Sequence, residues 1–226
     1  GTLGAAAGVA SAGWVARAWA DGPQSARARF PFARLIYNGS WDAALPNSDN
    51  NLSAEFQRAA GDRFTTDIAQ VSLGDNELFQ YPFLYMTGFS GRNMFTFEET
   101  ERLRRYLVEG GYLFASYCGS GGPDFRDSLR RLLDEEVFRG DPKSAYVEIE
   151  DEEHPVFNIA VPFSDWASGL YRAGRYSGWE YDGRLVCFMA SEYDNNCVLA
   201  GRAADGRVTQ QCLWQGVNVL YYSMMY

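Results

Sequence analysis

The chain has one histidine, and one of its four cysteines stands before a glycine turn; together these are the residues best suited to covalent chemistry. Cys118 opens Cys118-Gly119-Ser120-Gly121-Gly122 directly after the apolar run Tyr112 to Tyr117. A thiol between a strand end and a helix N-terminus has its pKa depressed, and backbone N–H groups of the turn can hold an oxyanion. Nucleophilic catalysis also needs a base, and His154 is the single imidazole available. The chemistry on offer is that of an exported cysteine hydrolase or amidase using Cys118 and His154. Against it, His154-Pro155-Val156-Phe157 reads as a corner that docks Val156 and Phe157 on a sheet.

Other chemistries find less to work with. The glycine turn could cradle a phosphate at a helix start, but no Lys follows Gly121-Gly122 and no G-x-G-x-x-G occurs. The acidic run Glu148 to Glu153 lacks the spaced ligands of a calcium loop, and no C-x-x-C pair points to zinc. No cofactor and no metal are expected. Asp49-Asn50-Asn51 and Asp194-Asn195-Asn196 read as turn chemistry. Cys187, inside L-V-C-F-M, reads as a buried small hydrophobe, while Cys197 and Cys212 are either free or paired in an oxidising compartment.

A formal charge of −9 argues against nucleic acid as a partner. Arg102, Arg104 and Arg105 alternate with Glu98, Glu99, Glu101 and Glu109, the pattern of a solvated helix face. A different cluster is richer in binding chemistry. Tyr171, Arg172, Arg175, Tyr176, Trp179 and Tyr181 are interleaved with glycines and show no helix or strand period. Tyr, Trp and Arg concentrate binding energy at interfaces, so these six form a candidate protein interface.

The elements that must position these residues follow from periodicity. Phe32 to Tyr37 predicts a strand ending at the turn Asn38-Gly39, Leu52 to Ala60 a helix stopped by Gly61, and Ile68 to Leu73 a strand. Phe83 to Thr87 and Tyr112 to Tyr117 are continuous apolar strands of the kind buried on both faces. Between them Thr96-Phe97-Glu98-Glu99 is a capping box for a helix running to Glu109, and Gly110-Gly111 ends it. A helix across Phe125 to Phe138, an edge strand at Tyr146 to Glu150, a buried strand at Leu185 to Ala190 and a helix within Leu213 to Tyr226 complete the pattern. This is the grammar of a doubly wound α/β sheet in one domain, residues 32–226, behind a polar linker at 21–31.

Residues 1–20 carry no charge before Arg17 and have the small-residue composition of an export signal, with Ala18-Trp19-Ala20 matching a signal-peptidase site. As a helix the segment is about 30 Å long, enough to span a bilayer. Gly4, Gly8, Ala12 and Ala16 form one small-residue stripe for close approach of another helix; Trp14, Arg17 and Trp19 suit the membrane interface. The segment resembles the core of a twin-arginine signal, a kind that is retained as an anchor in Rieske-type iron-sulfur proteins.

Six landmarks in order carry a further resemblance: F-A-R-L-I-Y-N-G, Y-P-F-L-Y-M-T-G, E-G-G-Y-L-F-A-S-Y-C-G, E-H-P-V-F, D-G-R-L-V-C-F and Q-G-V-N-V-L-Y-Y. They resemble the bacterial domain of unknown function family numbered 4159, over Pro31 to Tyr226. The resemblance implies a fold like that of class I glutamine amidotransferases: a flavodoxin-like, mostly parallel sheet with helices on both faces, here preceded by one N-terminal transmembrane or signal-anchor helix. It does not imply their chemistry. In the amidotransferase elbow a glycine stands two residues before the cysteine, and here that position is Ser116. The leading expectation is a non-catalytic accessory subunit of a bacterial membrane complex. It would be anchored in the cytoplasmic membrane by residues 1–20, with a periplasmic domain and integral membrane subunits as partners. An energy-transducing host such as a photosynthetic reaction centre with its antenna fits that expectation. The alternatives are the Cys118–His154 hydrolase and a periplasmic ligand-binding domain.

Overall fold

Phe83 to Gly88 is buried along its whole length, which a strand sustains only where both faces of its sheet are covered. The computed structural model, which describes residues 28–39, 41, 47–61, 64–88, 94–117, 122–161, 176–190 and 206–226, places this run inside a seven-stranded sheet. In chain order the strands are β1 (Ala28–Ile36), β2 (Phe64–Ser72), β3 (Phe83–Gly88), β4 (Tyr112–Tyr117), β5 (Ser144–Glu148), β6 (Tyr176–Tyr181) and β7 (Arg184–Ala190). Their order across the sheet is β2-β1-β3-β4-β7-β6-β5. The first five of these are parallel, and β6 runs antiparallel to both of its neighbours. The fold is therefore α/β with a mixed, mostly parallel sheet.

Five α-helices accompany the strands among the described residues: α1 (Asn47–Ala59), α2 (Phe97–Val108), α3 (Gly122–Arg131), the single turn α4 (Pro155–Asn158) and α5 (Gly206–Met225). The capping box forms as the sequence predicts: Glu99 N–H donates to Thr96 Oγ1 at 3.2 Å, and Thr96 N–H donates to Glu99 Oε2 at 2.8 Å. At the other end of α2, Arg184 donates to the carbonyl of Leu107 at 2.6 Å, an acceptor that the helix leaves over, and to that of Gly111 just before β4 at 3.3 Å. Beyond Arg131, α3 loosens into a π-helical stretch, Leu132–Val137, and Phe138 N–H reaches back to Leu133 O at 2.8 Å. Phe138 then stacks on Trp179, with centroids 6.0 Å apart.

The two sides of the sheet have separate cores. Leu35, Leu84, Met86, Leu113, Val186 and Met189 meet Leu103 and Leu107 of α2 and Phe125 and Leu129 of α3. Phe32, Phe83, Tyr85, Tyr112, Phe114 and Phe188 meet Leu52 and Phe56 of α1, Val156 and Phe157 of α4, and Val217 and Leu220 of α5. Helices thus cover both faces, which is why β3 and β4 read as unbroken apolar runs. Asn218 of α5 uses its whole amide to hold the chain after α4. Its Oδ1 accepts from Ala160 and Val161 N–H at 2.9 Å each, and its Nδ2 donates to the carbonyls of Phe157 and Val161.

Three sequence expectations are corrected. β1 begins at Ala28, so the last residues assigned to the linker 21–31 belong to the sheet, where Ala28 pairs with Phe64. Asp49-Asn50-Asn51 is not a turn but the first part of α1, held there by a partner for Asp49 inside the domain. The run Tyr176 to Tyr181, which shows no strand period in the sequence, is strand β6. Its turn to β7, Asp182-Gly183, has both residues at positive φ, 52° and 79°.

Candidate functional site at the carboxyl ends of the strands

Parallel α/β sheets offer a crevice where the chain leaves one strand for one side and the neighbouring strand for the other. Here β1 leads through α1 to β2, while β3 on its other flank leads through α2 to β4. The carboxyl ends of β1 and β3 are stitched together. Tyr37 Oη donates to the carbonyl of Thr87 at 3.1 Å, Asn38 N–H donates to Met94 O at 3.2 Å, and the Tyr37 ring lies against Phe95 at 6.0 Å. Burial pushes the Tyr37 hydroxyl well above the usual phenol range, so it remains a neutral donor.

On the face covered by α1 and α5, side chains shrink toward this end. Phe83 and Tyr112 are neighbours, then Tyr85 and Phe114, then Thr87 and Ser116. Both hydroxyl residues are fully buried. The Thr87 Oγ1 has no hydrogen-bond partner among the described residues. One residue pair further in, Arg34 of β1 is buried with Asp49 at the start of α1; Nε lies 2.8 Å from Oδ2, and Nη2 donates to Oδ1 at 3.0 Å and to Ser48 Oγ at 3.1 Å. Nη1 donates to Trp41 O at 3.3 Å, and the guanidinium carbon sits 5.8 Å from the Tyr85 ring centre. Desolvation raises the Asp49 carboxyl while Arg34 pulls it down. Sequence reasoning passed over this cluster, although an arginine inside F-A-R-L-I-Y demands a buried partner.

Residues 31–224 match the family described as Domain of unknown function (DUF4159). The chain belongs to that family. No curated protein matches it. Among solved structures it is similar to a protein from Bacteroides uniformis ATCC 8492 described as ThuA-like, at 14% identity and a TM-score of 0.39, over 90% of this chain and 94% of that one.

Of the catalytic candidates in this family member, Cys118 lies outside the described residues; Tyr117 before it ends β4, and α3 begins at Gly122. His154 is the N-cap of α4: its Nδ1 accepts from Val156 N–H at 3.2 Å. Its ring stacks on Tyr222 at 5.8 Å, and Tyr222 in turn packs on Tyr112 at 6.0 Å. Tyr112 is the first residue of β4, whereas Cys118 follows the last, and six strand residues span roughly 16–20 Å. The described chain therefore holds His154 toward the other end of β4. Burial lowers its pKa, partly opposed by Glu180 and Asp151.

The candidate interface is corrected in part. Tyr176 and Trp179 are each 2% exposed, one in each core, and Tyr181 is half-buried against Phe138. Alternating strand faces, not a shared surface, bring these aromatics together. Tyr171, Arg172 and Arg175 lie outside the described residues, as do Gly4, Gly8, Ala12, Trp14, Ala16, Arg17 and Trp19. Among the described residues no helix is long and apolar enough to cross a membrane, and no three His, Cys, Asp or Glu converge as metal ligands. Arg102 and Arg104 do more than solvate a helix face: Arg102 donates to the carbonyls of Leu73 and Asp75, and Arg104 pairs with Asp141 at 2.7 Å.

Proposed function

We propose that the chain is a non-catalytic accessory subunit of a bacterial membrane complex, anchored through residues 1–20 with its α/β domain on the periplasmic side. The observation that carries the non-catalytic part is the employment of His154. Its Nδ1 lone pair is spent on capping α4, and its ring is stacked between elements. Two further reactive groups in the described chain also serve the fold. Cys187 is sealed in the core, where burial pushes its thiol well above the usual range, and Asp49 is engaged by Arg34.

The strand order β2-β1-β3-β4-β7 supports the flavodoxin-like reading of the domain. A second reading, a periplasmic ligand-binding domain, is favoured by the Thr87 hydroxyl, which has no partner among the described residues and lies beside the β1–β3 crevice.

The deciding experiment is affinity recovery of the full chain from detergent-solubilised membranes. Co-purification of integral membrane subunits is expected, reduced when Gly4 and Gly8 are replaced by leucine and unaffected by Cys118→Ala. Recovery of the full chain from the soluble fraction, or a turnover abolished by Cys118→Ala in a folded protein, would overturn the proposal.

A further inference from the structure

The large exposed hydrophobic side chains are not spread evenly. Among the described residues they are Phe97, Val108, Met225 and Tyr226, at 75%, 39%, 63% and 47% exposure. Phe97 begins α2, just after the carboxyl end of β3. The other three lie at the opposite end, where the parallel strands start. Val108 ends α2 three residues before the glycine that precedes β4. Tyr226 stacks on Tyr222 at 4.7 Å, and Tyr222 packs on Tyr112, the first residue of β4.

The chain also enters the domain at this end. Phe32 pairs with Phe83 and Phe83 with Tyr112, so β1 and β3 are level there. Ala28 lies four residues earlier, paired with Phe64, and the β1–β2 ladder thus projects about 13 Å beyond the starts of β3 and β4. The projection is flanked by the end of α5. Phe30 contacts Phe56 at 5.8 Å, and Phe56 contacts Tyr221 at 5.3 Å, which brings the turn carrying Met225 and Tyr226 to a similar depth. Two ion pairs lie at this end, Arg105 with Glu109 at 2.8 Å and Lys143 with Asp182 at 3.3 Å.

We propose that the strand-start end of the domain faces the bilayer and lays Met225 and Tyr226 against the lipid headgroup region, turning the carboxyl ends of the strands toward the aqueous side. The proposal rests on the anchor assigned above to residues 1–20. Residues 21–27 reach at most about 25 Å, so an anchored chain keeps Ala28, and the end that carries it, close to the membrane surface. Tyrosine is suited to that depth because its ring is apolar and its hydroxyl stays wet. A thioether beside the ring adds apolar contact. The patch orients a domain that the anchor attaches.

The test uses the full chain in phosphatidylcholine vesicles that carry nitroxide-labelled lipid near the headgroup. Single cysteines are introduced as Met225→Cys, Tyr226→Cys and Phe97→Cys, with Cys118 and Cys197 replaced by serine, and each is labelled with a fluorophore. Labels at 225 and 226 should lose intensity to the nitroxide, and a label at 97 should keep it. A chain that floats with the vesicles but is quenched equally at 97, or not at all at 225 and 226, removes the orientation and leaves the anchor. A chain that does not float removes the anchor and the orientation together.

Discussion

Arg34 grips Asp49 with two prongs inside the domain, Nε at 2.8 Å from Oδ2 and Nη2 at 3.0 Å from Oδ1. The pair ties β1 to the first turn of α1, and Nη1 reaches on to the Trp41 carbonyl. Removing one member strands the other. Arg34→Met should cost about 3–5 kcal/mol because it leaves a buried carboxylate uncompensated. The double variant Arg34→Met, Asp49→Leu should recover most of that loss. Urea midpoints for the three proteins check this; a double variant no better than the single one would show that packing, not charge, is at stake.

Asn218 makes four hydrogen bonds to backbone groups between Phe157 and Val161. Asn218→Leu keeps the volume and abandons all four. With a net worth of about 1 kcal/mol per bond, and more where a buried group is left bare, the expected loss is on the order of 3–5 kcal/mol. Hydrogen exchange should rise at Ala160 and Val161, and unchanged protection there would refute the assignment.

His154 confers a pH dependence of known sign. Burial lowers its folded-state pKa below the ordinary 6.5, so the unfolded chain takes up the proton more readily. Its contribution is complete above pH 6.5 and is lost progressively as pH falls below that value. Protonation also removes the lone pair that caps α4. His154→Asn retains a capping acceptor and cannot titrate, so its stability should change less than the native protein's between about pH 7.5 and about pH 5.5. Parallel pH profiles for the two proteins would contradict this.

Thr87→Val replaces a buried hydroxyl that has no partner among the described residues by a methyl of similar size. The carbonyl that receives the Tyr37 hydroxyl stays in place. The unliganded protein should be unchanged or stabilised by about 1 kcal/mol, the reverse of the usual result for losing a polar group in a core. Destabilisation beyond that in thermal unfolding would mean that the hydroxyl is satisfied in solution.

The strands buried on both faces were legible because nothing interrupts them: Phe83 to Thr87 and Tyr112 to Tyr117 are read from composition alone and form β3 and β4. α2 was legible for a different reason. Thr96, Glu99 and Gly110 each perform a local backbone task that depends on no distant residue. β6 escaped because Ser177 and Gly178 break its apolar alternation. Gly178 is there because a side chain would come within 2.5 Å of the Cys187 carbonyl oxygen, a constraint imposed by the neighbouring strand. The Asp182-Gly183 turn was the available hairpin signal. The Arg34–Asp49 pair and the Thr87–Ser116 step were hidden for the same reason as β6. They join residues far apart in the chain, and periodicity reports only which face a residue occupies.

The long β1–β2 ladder bears on how the domain carries load. Nine residue pairs, from Ala28 with Phe64 to Ile36 with Ser72, lie along the line of a pull applied through residue 28. Such a pull is directed along the strands and shared by the rungs of the ladder in shear, so that they must yield together and not peel one by one. A domain loaded in this way is mechanically stiff at residue 28.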